Sequence, residues 1–144
     1  MANLPISAAR AKIATYLGAV TQLKQLSNSR VSALTSFPAC RYFQTGLAQQ
    51  LISNAPRYLR TTQFTIEIIQ PLTNTAANRV TQEQALEDAL EATLDKLGVQ
   101  WVLDNTVNAT RVTGGTVVEV ETASGPAAVA TILFELDTFV EANP

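Results

Sequence analysis

The sequence predicts an α+β fold: a mainly antiparallel sheet covered on one face by two amphipathic helices, with a long loop between the first two strands. Two observations carry most of this. Near residues 6–26 and 81–97 apolar side chains recur at spacings of three and four, the period of a helix with one buried stripe. Elsewhere they alternate, most clearly in "QFTIEIIQP" at 63–71, where Phe64, Ile66 and Ile68 share one strand face and Thr65, Glu67 and Ile69 the other. The order of these segments is helix, strand, long loop, strand, helix, then a meander of three strands, which suits two layers around one core.

Each element has its own signal. Ile6, Ala9, Ile13, Tyr16, Leu17, Val20, Leu23 and Leu26 set the first helix, and Pro5 sits where a first turn tolerates it. "SNSRVSALTSFP" breaks that pattern, and "ACRYFQT" after Pro38 reads as a strand. From Gly46 to Thr61, Asn54 and Pro56 argue for a long loop ending in "RYLR", of the kind that is often functional. Thr81 and Gln84 form a capping box for the second helix, which Ala85, Leu86, Ala89, Leu90, Leu94 and Leu97 stripe and Gly98 ends. Glu83, Glu87, Asp88 and Glu91 are then expected in its first turns, where they suit the macrodipole.

Strand character begins again near Trp101. Gly114 and Gly115 predict a hairpin between "TVNATRV" and "TVVEVETA", and "SGP" at 124–126 predicts a second turn. In the final strand Ile132, Phe134 and Leu136 oppose Leu133, Glu135 and Asp137. The apolar series should face the helices. Glu67, Glu119, Glu121, Glu135 and Asp137 are expected to share the opposite, acidic face.

Composition narrows the chemistry. The 144 residues suit a single domain over 1–144, with 47% hydrophobic and only 15% charged residues, a weakly charged surface of the kind that associates. No stretch reaches the roughly 18 apolar residues of a membrane helix, and the N-terminus has no secretory pattern, so a soluble intracellular protein is expected. Histidine is absent and Cys40 is the one cysteine. That removes an internal disulfide, the common zinc spacings and every catalytic arrangement that needs an imidazole base. No glycine-rich phosphate loop is present, and the acidic residues show no tight metal-binding cluster, so no cofactor, metal or catalytic residue is assigned.

Charge is divided along the chain. Residues 1–60 hold seven basic and no acidic side chains, and residues 61–144 hold three basic and twelve acidic, giving +7 and −9. If the two parts occupy different flanks, the molecule is a dipole suited to head-to-tail association. If they interleave, the charges cancel within the monomer. "PRYLR" places Tyr58 between Arg57 and Arg60, a combination that favours a protein contact in so acidic a chain.

The helix before "FPACRYFQTG", the passage from "QFTIEIIQP" into "TQEQALEDALEATLDKLG" and the closing "ATILFELDTF" together resemble the tail terminator, or tail completion, proteins of long-tailed bacteriophages. The resemblance spans nearly the whole chain and is one of element order and length. It implies a structural virion protein with no enzymatic activity. Such a protein forms a hexameric ring at the head-proximal end of the tail tube, ends tube polymerisation and meets the head-tail connector. It would work in the tail neck after assembly in the host cytoplasm. On this expectation Glu67, Glu119, Glu121, Glu135 and Asp137 line a lumen through which DNA slides unbound, since like charge keeps the backbone from sticking. Arg57, Tyr58 and Arg60 would contact a neighbouring subunit or the tube. Another neck component, a connector or stopper, is an alternative within the same class. A monomeric ligand-binding or enzymatic domain using the acidic face is the alternative outside it.

Overall fold

The computed structural model describes residues 6–29, 33–52, 57–73, 75–98 and 109–141. They form helix α1 (Ile6–Gly18), strands β1 (Gln25–Ser27), β2 (Ala39–Ile52) and β3 (Arg57–Pro71), helix α2 (Ala76–Gly98), and strands β4 (Ala109–Thr122) and β5 (Gly125–Glu141). The fold is α+β: one five-stranded sheet in the order β1-β2-β3-β5-β4, antiparallel except for the β1–β2 pair. Both helices pack on one face of it.

The core is the apolar alternation of the two central strands. Phe64, Ile66 and Ile68 of β3 and Ile132, Phe134 and Leu136 of β5 are buried, and they meet Ala9, Ile13 and Leu17 of α1 and Leu86, Ala89 and Leu97 of α2. Burying each large side chain contributes about 1.5–3 kcal/mol. Ala128 and Ala130 leave room on β5 for α2, and the Arg10 guanidinium carbon stands 5.8 Å from the Phe64 ring centre, fixing α1 above β3.

Several elements differ from the sequence expectation. The first helix stops at Gly18, not near 26. Beyond it the amides of Ala19, Val20 and Leu23 donate to Tyr16, Leu17 and Val20 in successive tight turns. Val20 and Leu23 still reach the core, because tight turns place every third side chain inward much as a helix does, and Leu26 reaches it from β1. Lys24 N–H then donates to Pro38 O at 2.8 Å and β1 runs parallel to β2. The Gln25 carboxamide orders the connection: Oε1 accepts from the amides of Thr35 (2.7 Å) and Ser36 (3.1 Å), and Nε2 donates to Ala33 O (3.0 Å).

Helix α2 begins at Ala76, so Thr81 is not its cap; the Thr81 hydroxyl donates back to Ala77 O at 3.4 Å. Ala76 and Ala77 are strong helix formers and let the helix start early, with Arg79 N–H bonded to Thr75 O at 2.9 Å. The first turn consequently holds no acidic residue. The helix does run to Gly98.

The long loop expected over 46–61 is instead strand on both sides: β2 runs to Ile52 and β3 starts at Arg57, in antiparallel register, with 53–56 outside the described residues. Pairing with β3, itself held by β5, makes strand of Gly46–Ile52 and Arg57–Thr61, and Asn54 and Pro56 lie outside the described residues. Nor do Gly114 and Gly115 make a hairpin. They lie inside β4, beside a bulge at Thr113, and among the described residues the meander has two long strands where three were expected. Residues 101–108, where strand character was expected to resume, lie outside the described residues. The turn at "SGP" is present, and Gly125 takes a φ of +118°, open to glycine at little cost.

Candidate assembly surface

Side chains alternate across a strand, so cross-strand partners share a face. On β3 and β5, Glu67 pairs with Thr131, Gln63 with Glu135 and Thr61 with Asp137. These positions are out of phase with the buried series, so Glu67, Glu135 and Asp137 lie on the open face, away from the helices. Glu119 and Glu121 do not join them. They pair with Ala128 and Pro126, in phase with the core positions, and Arg79 of α2 is ion-paired to Glu119. The extra residue at Thr113 is the physical reason, since a bulge reverses the phase of everything beyond it. Val118 and Val120 take the open-face places instead.

The open face is also less uniformly acidic than expected. Arg41 stands directly across from Glu67 in the β2–β3 ladder. Arg111 reaches both Glu135, at 3.6 Å, and Asp137, to which Nη2 donates at 3.3 Å and Nη1 more closely. Thr61 Oγ1 donates to Asp137 Oδ1 at 2.8 Å. Burial raises the Asp137 pKa, but the Arg111 and Thr61 hydrogen bonds and the Arg111 charge outweigh it and hold the carboxyl below its ordinary value.

Arg57, Tyr58 and Arg60 sit at the start of β3, in a part of the sheet that extends past the core. Arg57 pairs with Ile52 and Glu141, and Tyr58 with Leu51 and Val140. Arg60 donates from Nε and Nη2 to Gln49 Oε1 at 3.1 and 3.0 Å. This projecting arm also carries two residues that sequence reasoning passed over. Leu47 and Leu51 are 58% and 61% exposed, and their partners Thr62 and Tyr58 put them on the helix side of the sheet. A second bulge, at Thr45, turns them there. The spacing of four between the two leucines of "LAQQL" is the one local signal that could have revealed them.

At the other edge, a cleft of about 300 Å³ opens between α2 and β4, lined by Leu90, Leu94, Val112, Gly114, Gly115 and Val117. Val112 and Val117 are 40% and 59% exposed. α2 presents Glu87, Asp88 and Glu91 to solvent, and Glu87 lines an adjoining cleft with Val117. Arg10 and Lys12 on α1 and Arg41 on β2 lie toward the opposite side of the sheet. The charge division along the chain is therefore only partly spatial: Arg41 stands opposite Glu67, Arg79 is paired with Glu83 and Glu119, and Arg111 lies beside Glu135 and Asp137.

Cys40 is fully buried, and burial, helped by the Glu67 charge, pushes its thiol up to about 12. Among the described residues no three potential metal-binding side chains converge, and no helix is long and apolar enough to cross a membrane.

No protein-family model matches the chain, and no curated protein matches it. Among solved structures, it is similar to a chain of the virion of a native gene transfer agent particle, at 13% identity and a TM-score of 0.49, over 94% of this chain and 91% of that one.

Proposed function

We propose that the chain is a structural protein of a tailed-phage-like virion, a tail terminator that forms a ring on the head-proximal end of the tail tube and joins it to the connector. The observation that carries this reading is the bias of charge across the sheet, with Arg10 and Lys12 on α1 and Glu87, Asp88 and Glu91 exposed on α2, although Arg41, Arg79 and Arg111 mix with carboxylates in between. Opposite flanks on one molecule favour heterologous contacts, and heterologous contacts that close make rings. An open face bearing Glu67, Glu135 and Asp137 suits the wall of a lumen that DNA crosses without binding. The projecting arm with Tyr58 and Arg60 suits a contact with a neighbouring subunit or the tube. Nothing in this role calls for catalysis or a cofactor.

Light scattering of the purified protein at two salt concentrations, with negative-stain images, tests it. A ring whose mass falls as salt rises is expected, because charged flanks are screened. If the protein stays monomeric, addition of tube protein should recruit it. A monomer that tube protein leaves in solution would end the terminator reading, and a ring that ignores tube protein but binds the connector would move it to another neck position.

A further inference from the structure

Both margins of the sheet are open along part of their length. Among the described residues β2 has no strand partner on its outer side from Thr45 to Ile52, because β1 pairs only with Ala39, Cys40 and Arg41. The outer side of β4 is likewise without a strand partner from Arg111 to Thr122. An unpaired edge is a ready template for another strand.

The four long strands alternate in direction, β2 against β3, β3 against β5 and β5 against β4. Because their number is even, a second copy placed with its β2 beside β4 meets it antiparallel, with its helices on the same side. The same operation repeated gives a continuous sheet that can close. The geometry therefore points to a specific subunit contact: the β2 arm of one copy adds to the β4 edge of the next, with Leu47 and Leu51 entering the cleft beneath α2. This rests on the ring reading above and supplies its interface.

The register follows from the bulge. On the inner side of β4, Val112 pairs with Phe134 and Val117 with Ala130, so two positions five apart on β4 meet two positions four apart on β5. Leu47 and Leu51 are also four apart and lie on the helix side, as Val112 and Val117 do. An antiparallel strand in the same relation places Leu47 beside Val117 and Leu51 beside Val112. Both pairs then lie against Leu90 and Leu94, the cleft's helical wall. Closing a sheet into a barrel demands a stagger between neighbours, and this register supplies one: within a single copy, Leu47 is level with Thr110, not Val117. Charge agrees as well. Residues 45–61 carry Arg57 and Arg60 and no acidic residue, whereas Glu87 of α2 lines a cleft with Val117 and the exposed Glu91 follows one turn on.

The test is cross-linking between single-cysteine variants in the purified protein, read on a gel beside its light-scattering mass. Cys40 is buried and can remain. Oxidised mixtures of Leu47→Cys with Val117→Cys, and of Leu51→Cys with Val112→Cys, should give a covalent dimer that neither variant gives alone, since neighbouring strand positions suit a disulfide. Leu47→Cys with Val118→Cys, which faces the other side, should not. An oligomer that shows none of these links, or links Val117→Cys to itself as a two-fold β4 pair would, overturns this contact and leaves the ring reading standing. A protein that is monomeric and never cross-links also overturns the contact, and recruitment by tube protein then decides the ring separately.

Discussion

Arg79 on α2 is ion-paired to Glu119 on β4, so an acidic residue of the edge strand looks toward the helices and not toward the open face. Arg79 also reaches Glu83 at 3.3 Å along its own helix, and the Glu119 side chain is 50% exposed. Pairs this exposed are worth little. Glu119→Gln should lower stability only slightly, with a smaller loss at high salt, in urea titrations at two ionic strengths. A larger, salt-independent loss would mean that the pair anchors the edge strand.

Asp137 should behave differently with pH. Its folded pKa lies below the ordinary value of 3.8, so its contribution is complete above that value and disappears as pH falls through the lowered one. Asp137→Asn should cost about 1–2 kcal/mol at neutral pH, since charge-assisted hydrogen bonds from Arg111 and Thr61 are lost. The gap between variant and parent should narrow below the ordinary carboxylate range. Denaturant titrations from pH 7 down to about 2.5 would show this, and a gap that stays constant would contradict it.

Cys40 should be silent toward alkylating and disulfide reagents in the folded protein, since it is buried and its thiol pKa is about 12. Full labelling should appear only with unfolding, so the labelling rate against denaturant reports global opening. Prompt labelling at neutral pH in water would show that β2 opens locally.

Thr93 is a polar residue that the core does not need. It is completely buried, and its hydroxyl donates to Ala89 O at 2.7 Å on its own helix, an oxygen that the helix already bonds. Thr93→Val therefore strands no partner and should change stability by less than about 1 kcal/mol, whereas Ile66→Ala should cost about 2–5 kcal/mol through the cavity it leaves. Thermal unfolding of the two variants separates these cases.

What the sequence made legible follows from where the physics is local. The alternation of Phe64, Ile66 and Ile68 and of Ile132, Phe134 and Leu136 identified the buried faces of the central strands, because both are covered along that length. The stripe from Leu86 to Leu97 identified α2 for the same reason. The phase of the outer strands was hidden. Thr45 and Thr113 shift register only because a partner strand is shorter by one residue at that point, and nothing in their own neighbourhood requires it. Glu119 and Glu121 were placed on the wrong face by that one residue. The arm was hidden because its strands are made by pairing with β5 and not by burial, and Leu47 and Leu51 read as loop residues until their partners are known.

The Gln25 side chain, which bonds Ala33, Thr35 and Ser36, has a consequence for chain entropy. The cost of closing a loop grows with the logarithm of its length, and β1 is joined to β2 by a connection much longer than itself. By gripping that connection partway, the carboxamide divides one large ring of chain into two smaller ones. The second is short enough to be stiff. Three residues of parallel strand offer few bonds against the entropy of ordering the chain, and here the strand's own first side chain lowers that cost.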